Sequence, residues 1–122
     1  MGDSRGIISR CLSEKINQVS IDHKPWDENE KTRVIRSGGF ICKSDIIYDS
    51  LKVIPIYRIK PGGLAVSRTI GDVESKLPDY GGKPNLVLAI PDVLSFKVTD
   101  EFDFLLLASK KNLIFCEISI KF

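Results

Sequence analysis

The chain has 122 residues and a formal net charge of +2, with 43% hydrophobic and 28% charged residues. That length holds one domain with a modest core, and the composition excludes a disordered chain. Lysines and arginines are scattered rather than massed, which argues against nucleic acid as a partner. No apolar run reaches the length of a membrane span, and the segment after Met1 is polar from Gly2 to Arg5, unlike a secretory leader. Cys11, Cys42 and Cys116 are odd in number and far apart, with no C-x-x-C pair. They read as reduced thiols of a cytoplasmic or nuclear protein, not as a disulfide framework or zinc site.

The chain opens with a β-like segment, RGIISRCL, followed by a polar turn at Ser13 and Glu14 and a second one, KINQVSI, ending at Asp22. The pair predicts a hairpin. Asp27, followed three residues later by Glu30, has the spacing of a capping box, and the acids Asp27, Glu28 and Glu30 suit the positive end of a helix dipole. Arg33 and Arg36 come later, and Gly38 and Gly39 supply the stop. FICKSDII and VIPIYRI return to a β pattern, with Pro55 marking an edge or a bend.

After them come a glycine-bounded segment, GGLAVSRTIGD, and a polar connection, VESKLPDYGGKPN. LVLAIPDVLSFKV and FDFLLLAS then predict two further strands, and alternation from Glu117 to Phe122 predicts a last one. No internal repeat or low-complexity linker interrupts the chain. The pattern as a whole is α+β, mostly antiparallel strands with one clear helix.

Several separated motifs stand in one order: GDSRGIISR, DHKP followed by Asp27, Glu30, Arg33 and the Gly38–Gly39 pair, then GGLAVSRTIGD, and a strand ending LLLAS. Together they resemble the metal-dependent serine/threonine protein phosphatases of type 2C. The resemblance implies part of an α-β-β-α sandwich, two antiparallel sheets flanked by helices. Residues 1–109 would be a central-to-late portion of that domain, and 110–122 a divergent tail. It also implies a binuclear Mg²⁺ or Mn²⁺ centre whose activated water attacks phosphoserine or phosphothreonine in proteins. Hard cations of that kind need several convergent oxygen ligands.

Much of that ligand set is not carried over. The family's first metal-bearing segment, an Asp-Gly-His-Gly-Gly run, and the histidine assigned as general acid would precede Met1. A second metal aspartate belongs just after Ala108 and Ser109, where Lys110 and Lys111 stand. At ~4 Å and an effective dielectric near ~20, unit charges interact by about 4 kcal/mol, and a dication doubles that. The last metal aspartate would lie beyond Phe122.

No catalytic residue is therefore assigned. Asp3 matches an acidic position that in the family helps bind an accessory metal, and its alternative is a strand-end aspartate accepting backbone amides. Gly71 and Asp72 match positions close to the family's active site, with Asp72 equally suited to accept backbone hydrogen bonds in the turn. Arg68 fits a bracing role, paired with a carboxylate such as Asp72, as well as a phosphate contact.

His23, the single histidine, fits hydrogen-bonded scaffolding in the DHKP turn. Gly62 and Gly63 fit a tight turn better than a phosphate cradle. Lys24, Lys31, Arg33 and Arg36 read as a solvated helix face. The Lys, Asn, Ile and Phe bias of the tail reads as a retained intron, a frameshift or a truncated gene model.

The expectation is a fragment of a phosphatase that acts on phosphoproteins in its full-length form and is inactive as this chain. The alternative is a non-catalytic module that binds phosphoproteins or a regulatory partner.

Overall fold

The computed structural model describes residues 1–12, 14–48, 52–109 and 118–121. The elements run β1 (Arg5–Arg10), β2 (Lys15–Gln18), α1 (Glu28–Arg36), β3 (Phe40–Tyr48), β4 (Lys52–Lys60), α2 (Val73–Lys76), a 3-10 turn (Pro78–Tyr80), β5 (Phe102–Ala108) and β6 (Ile118–Lys121). They fall into two compact units, one of residues 1–2 and 23–91, the other of residues 3–22 and 92–122.

The second unit is a four-stranded sheet in the order β2-β1-β5-β6. Every pairing in it is antiparallel. The expected hairpin is β1–β2, with Ile7 opposite Gln18 and Arg10 opposite Lys15. Its second strand is shorter than predicted. Beyond Gln18 the chain still bonds from the Val19 amide to the Gly6 carbonyl at 2.8 Å, and Ser20 Oγ accepts the Gly6 amide at 2.7 Å.

On its other side β1 pairs with β5, placing Ile8 opposite Leu105, and the register shifts between Ser9 and Arg10. Ile8, with neighbours on both sides, is fully buried. Around the bulge, Arg10 lies 4.4 Å over the Phe102 ring, and Phe96 stacks on that ring at 5.8 Å. Asp103 accepts from Ser9 Oγ at 2.9 Å and from the Leu12 amide at 3.0 Å. Those bonds hold Cys11 and Leu12 at positive φ, where L-residues need external support.

The first unit is built on α1 and the β3–β4 hairpin. Asp27 caps the helix: its Oδ1 accepts from the amides of Asn29 and Glu30 at 3.1 and 3.2 Å. The capping box is half complete, because the Asp27 amide bonds to the Lys24 carbonyl and Glu30 turns inward instead. At the other end Gly38 takes φ +76°, its amide meets the Ile35 carbonyl at 2.9 Å, and the Gly39 amide meets the Val34 carbonyl at 3.0 Å. That is a Schellman closure. Gly39 also has a packing reason, since a Cβ there would lie 2.1 Å from Leu86 Cδ1.

The strands β3 and β4 pair over their whole length, from Phe40 opposite Lys60 to Tyr48 opposite Lys52. Pro55 stands opposite Asp45 in a sheet of only two strands, so the edge position expected for it holds. Val34, Ile59, Leu86 and Val87 form the core, with Ile41 and Leu64 packed against them.

The strand expected over Leu86–Val98 does not form among these residues. Its apolar head is used as a plug, with Leu86 and Val87 buried in the core, and only Leu88 makes a bridge, parallel to Arg68. Pro84 precedes the stretch and Pro91 lies within it, and neither has an amide donor, which limits any ladder there. The connection before it, read as polar, carries α2 and the 3-10 turn. The α+β class and the two antiparallel sheets are as expected.

Ile59 is fully buried at the centre of the first unit's core. Ile59→Ala is expected to lower the unfolding free energy by roughly 2–5 kcal/mol, read from urea denaturation. A midpoint unchanged from wild type would mean that Val34, Leu86 and Val87 do not pack on it.

Candidate functional site

Two of the residues singled out from the sequence, Arg68 and Arg33, meet at one side chain that was assigned a different role, Glu30. Glu30 is 5% exposed and carries its carboxylate into the interior between α1, the 67–68 segment and the 85–90 segment. Arg68 donates to Glu30 Oε1 from Nη2 at 2.7 Å and from Nε at 3.1 Å. Arg33 Nη2 donates to Glu30 Oε2 at 2.7 Å, and Ser67 Oγ donates to the same oxygen. One carboxylate thus meets two guanidinia and a hydroxyl.

Burial by itself would push the Glu30 carboxyl up, but the hydrogen bonds from Arg68, Ser67 and Arg33, with the Arg33 charge, hold it at about 2. Glu30 is therefore ionised at neutral pH, and its two oxygens are shared by Arg68, Arg33 and Ser67.

The guanidinia reach beyond Glu30. Arg33 Nη1 donates to the Leu86 carbonyl at 2.9 Å and also to that of Asn85, while Nη2 reaches the Ser67 carbonyl at 3.1 Å. Its Nε is buried and has no hydrogen-bond partner. Arg68 Nη1 donates to the Ile90 carbonyl at 3.2 Å. Arg68 pairs with Glu30, where the sequence suggested a carboxylate such as Asp72. Asp72 is exposed with φ +50° at the start of α2, and its side chain caps nothing there. Its backbone carbonyl, not its carboxylate, accepts in this turn, from the Ser75 amide at 3.0 Å. Lys76 takes over the loop, donating from Nζ to the carbonyls of Thr69 at 2.7 Å and Gly71 at 2.5 Å.

The remaining candidates are placed as follows. His23 is buried, its amide bonded to the Gly2 carbonyl at 2.8 Å and its carbonyl to the Ser67 amide at 2.9 Å, which agrees with a scaffolding role. Gly62 has φ +99°, and a Cβ on it would lie 1.8 Å from Ser75 Oγ, so it serves a tight, crowded turn. Of the basic set read as a solvated face, Lys31 and Arg36 are exposed. Lys24 is 6% exposed and Arg33 is committed inward, so that expectation fails for both. Gly71 is exposed at φ +78°.

Asp3 belongs to the other unit, half-buried ahead of β1. There Arg5 is pushed above its ordinary range, first by the hydrogen bond and charge of Asp22, with Asp3 adding to it. Among the described residues no group of three or more His, Cys, Asp or Glu side chains is arranged to hold a metal ion. That donor set does not fit a binuclear centre, which needs several convergent carboxylates. Lys110 and Lys111 lie outside the described residues.

A groove of about 780 Å³ runs along the outer side of α1. Arg33 and Arg36 line it with Asn29, Thr32 and Ser37, and Asn85 faces them. Pro84, Leu88 and Ile90 complete the lining, and no carboxylate is part of it. The cluster and this groove were not read from the sequence. Glu30 and Arg33 stand at the spacing of a helical ion pair, which was the available signal, but that spacing more often marks an exposed pair.

The family model for protein phosphatase 2C matches residues 1–111. The chain is 36% identical over 108 residues to a protein phosphatase 2C homolog 2 of Aspergillus fumigatus, covering 88% of this chain and 21% of that protein. It is 37% identical over 108 residues to the probable protein phosphatase 2C 60 of Arabidopsis thaliana, covering 88% of this chain and 26% of that one. Among solved structures, a phosphatase from a pathogenic strain of Toxoplasma gondii matches with a TM-score of 0.60 at 31% identity, over 88% of this chain and 28% of that one. A sex-determining protein of C. elegans matches with a TM-score of 0.64 at 23% identity, over 95% of this chain and 24% of that one, and supports the fold alone. The chain spans about a fifth to a quarter of the curated relatives' length.

Glu30→Gln removes the buried charge that two part-buried guanidinia share, and is expected to destabilise the chain by roughly 3–5 kcal/mol in urea denaturation. The Glu30 carboxyl is depressed in the folded state, so its stabilisation is full above the unfolded value of 4.5 and fades as pH falls toward about 2. Wild type should lose stability across that window more steeply than Glu30→Gln. Parallel pH profiles for the two proteins would refute the role given to Glu30.

Proposed function

The chain belongs to the protein phosphatase 2C family, and on that premise we propose that it is a piece of a metal-dependent phosphatase whose full form dephosphorylates phosphoserine and phosphothreonine in proteins. Residues 1–109 are the family portion and 110–122 a divergent tail. The chain alone is proposed to be inactive. The observation that carries this reading is the donor set, since Asp3 is a single carboxylate and the described residues gather no metal-binding group around it. One carboxylate holds a hard dication weakly, so an Mg²⁺ or Mn²⁺ pair would depend on aspartates beyond the described residues.

Arg68, Gly71 and Asp72 are proposed as near-site structural residues. Arg68 anchors the segment before Thr69 through Glu30, and Lys76 fixes the carbonyls of Thr69 and Gly71. They set the shape of the 69–72 loop rather than perform a chemical step. Cys11 and Cys42 are free thiols, which suits a cytoplasmic or nuclear location. Among the described residues no helix is long and apolar enough to cross a membrane.

The second reading is a non-catalytic module that binds phosphoproteins. It is favoured by the arginine-lined groove along α1, which needs no metal to attract an anion.

Hydrolysis of a phosphothreonine peptide in Mn²⁺, with and without EDTA, separates the readings. The 122-residue chain is expected to release no phosphate above the EDTA background. Robust EDTA-sensitive release would overturn the assignment of this chain as inactive.

A further inference from the structure

The β3–β4 hairpin makes up its whole sheet among the described residues, so β3 has no strand on its outer side there. Which backbone groups face that side follows from β4. The Ile59 amide bonds to the Leu64 carbonyl at 2.8 Å, and the Ile59 carbonyl takes the Gly63 amide at 2.8 Å, so Ile59 bonds away from β3. Bonding alternates along an antiparallel ladder, and Pro55 and Tyr57 therefore turn the same way as Ile59. Their partners Ile41, Lys43 and Asp45, opposite Ile59, Tyr57 and Pro55, turn amide and carbonyl outward from the other edge.

The two edges differ. β4 is occupied at Ile59 by Leu64 and lacks a donor at Pro55. On β3, Lys43, Ser44, Asp45 and Ile46 are all exposed, and among the described residues no backbone group meets Lys43 or Asp45 on the outer side. Ile46 and Ile54 stand opposite each other on one face, 46% and 38% exposed. An open edge of this kind is usually blunted by charge. Here the two charges, Lys43 and Asp45, are opposite in sign and lie 3.6 Å apart in one chain.

We propose that β3 pairs antiparallel with β3 of a second copy of this chain, about a two-fold axis at Ser44, joining two hairpins into one four-stranded sheet. Two requirements select that register independently. Full overlap of Phe40–Tyr48 with its copy puts the axis at Ser44, the midpoint of the strand, and sets outward-turned residues against outward-turned residues. The same register sets Lys43 opposite Asp45 of the second copy, twice by symmetry. An axis at residue 43 or 45 would instead set Lys43 against Lys43 or Asp45 against Asp45. With the axis at Ser44, Cys42 meets Ile46 of the second copy, on the face that carries Ile46 and Ile54. The ion pair within one chain is exposed and worth little, so exchanging it across the axis costs little.

The test is sedimentation velocity of the full chain in reducing agent across a concentration series. The 13.6 kDa chain should form a concentration-dependent dimer. Asp45→Lys and Lys43→Asp each set like charges across the axis and should weaken self-association by about tenfold or more. Mixed one to one, the two variants face lysines with aspartates and should associate about as tightly as wild type. Lys43→Pro removes an outward amide and no bond to β4, and should leave a monomer. Both charged side chains are more than half exposed, so the charge variants should keep the wild-type melting temperature and decide the case even where Lys43→Pro does not fold.

A wild-type chain that stays monomeric throughout the series overturns the proposal, as does a dimer that either charge variant leaves unchanged. A mixture that associates no better than its separate variants overturns the Lys43–Asp45 pairing. Assembly beyond a dimer overturns the closed two-fold sheet.

Discussion

A single buried carboxylate holds the first unit's irregular parts in place, and most of what positions the 67–90 region follows from it. Glu30 enters the interior from the first turn of α1 and is met by Arg68, Arg33 and Ser67. Each guanidinium also reaches backbone carbonyls of residues 67, 85, 86 or 90. Those segments contain little regular structure, so their polar backbone groups need partners other than a ladder. The cluster supplies several. A buried ion pair of this sort adds little net stability over an apolar replacement, but it tolerates few alternative arrangements. We infer that it specifies the path of these loops more than it strengthens the fold.

Two features inherit that constraint. One is the loop from Thr69 to Asp72, which begins directly after Arg68 and is closed by Lys76 across the Thr69 and Gly71 carbonyls. The other is the groove along α1, whose far side is the 84–90 segment that Arg33 and Arg68 secure. Arg33 thus serves two roles, bracing the 85–86 backbone and lining the groove.

The family relationship covers residues 1–111, while the match spans 21% and 26% of the two curated relatives. Among the described residues no group of three or more His, Cys, Asp or Glu side chains is placed to hold a metal ion. Glu30, Ser67, Arg68 and the Gly38–Gly39 stop all belong to the matched motifs, and their roles here are packing and positioning.

What the sequence determined by itself is the local structure. Asp27 capping α1, glycines ending it, the β1–β2 hairpin, Pro55 at an edge and the α+β class all depend on neighbours within a few residues, and their signals sit in the chain. What tertiary structure alone decided is the partnership of distant side chains. Glu30 satisfied the local pattern for a capping box, yet burial against residues 67 and 68 made it an interior carboxylate. Arg68 had a carboxylate only four residues away in Asp72 and took one thirty-eight residues back. Leu86 and Val87 matched a strand pattern but filled the space between α1 and β4. In each case a short-range preference worth a fraction of a kcal/mol to about 1 kcal/mol yielded to burial and desolvation terms of several. Those terms depend on which surfaces meet in the folded chain, and no stretch of sequence contains that by itself.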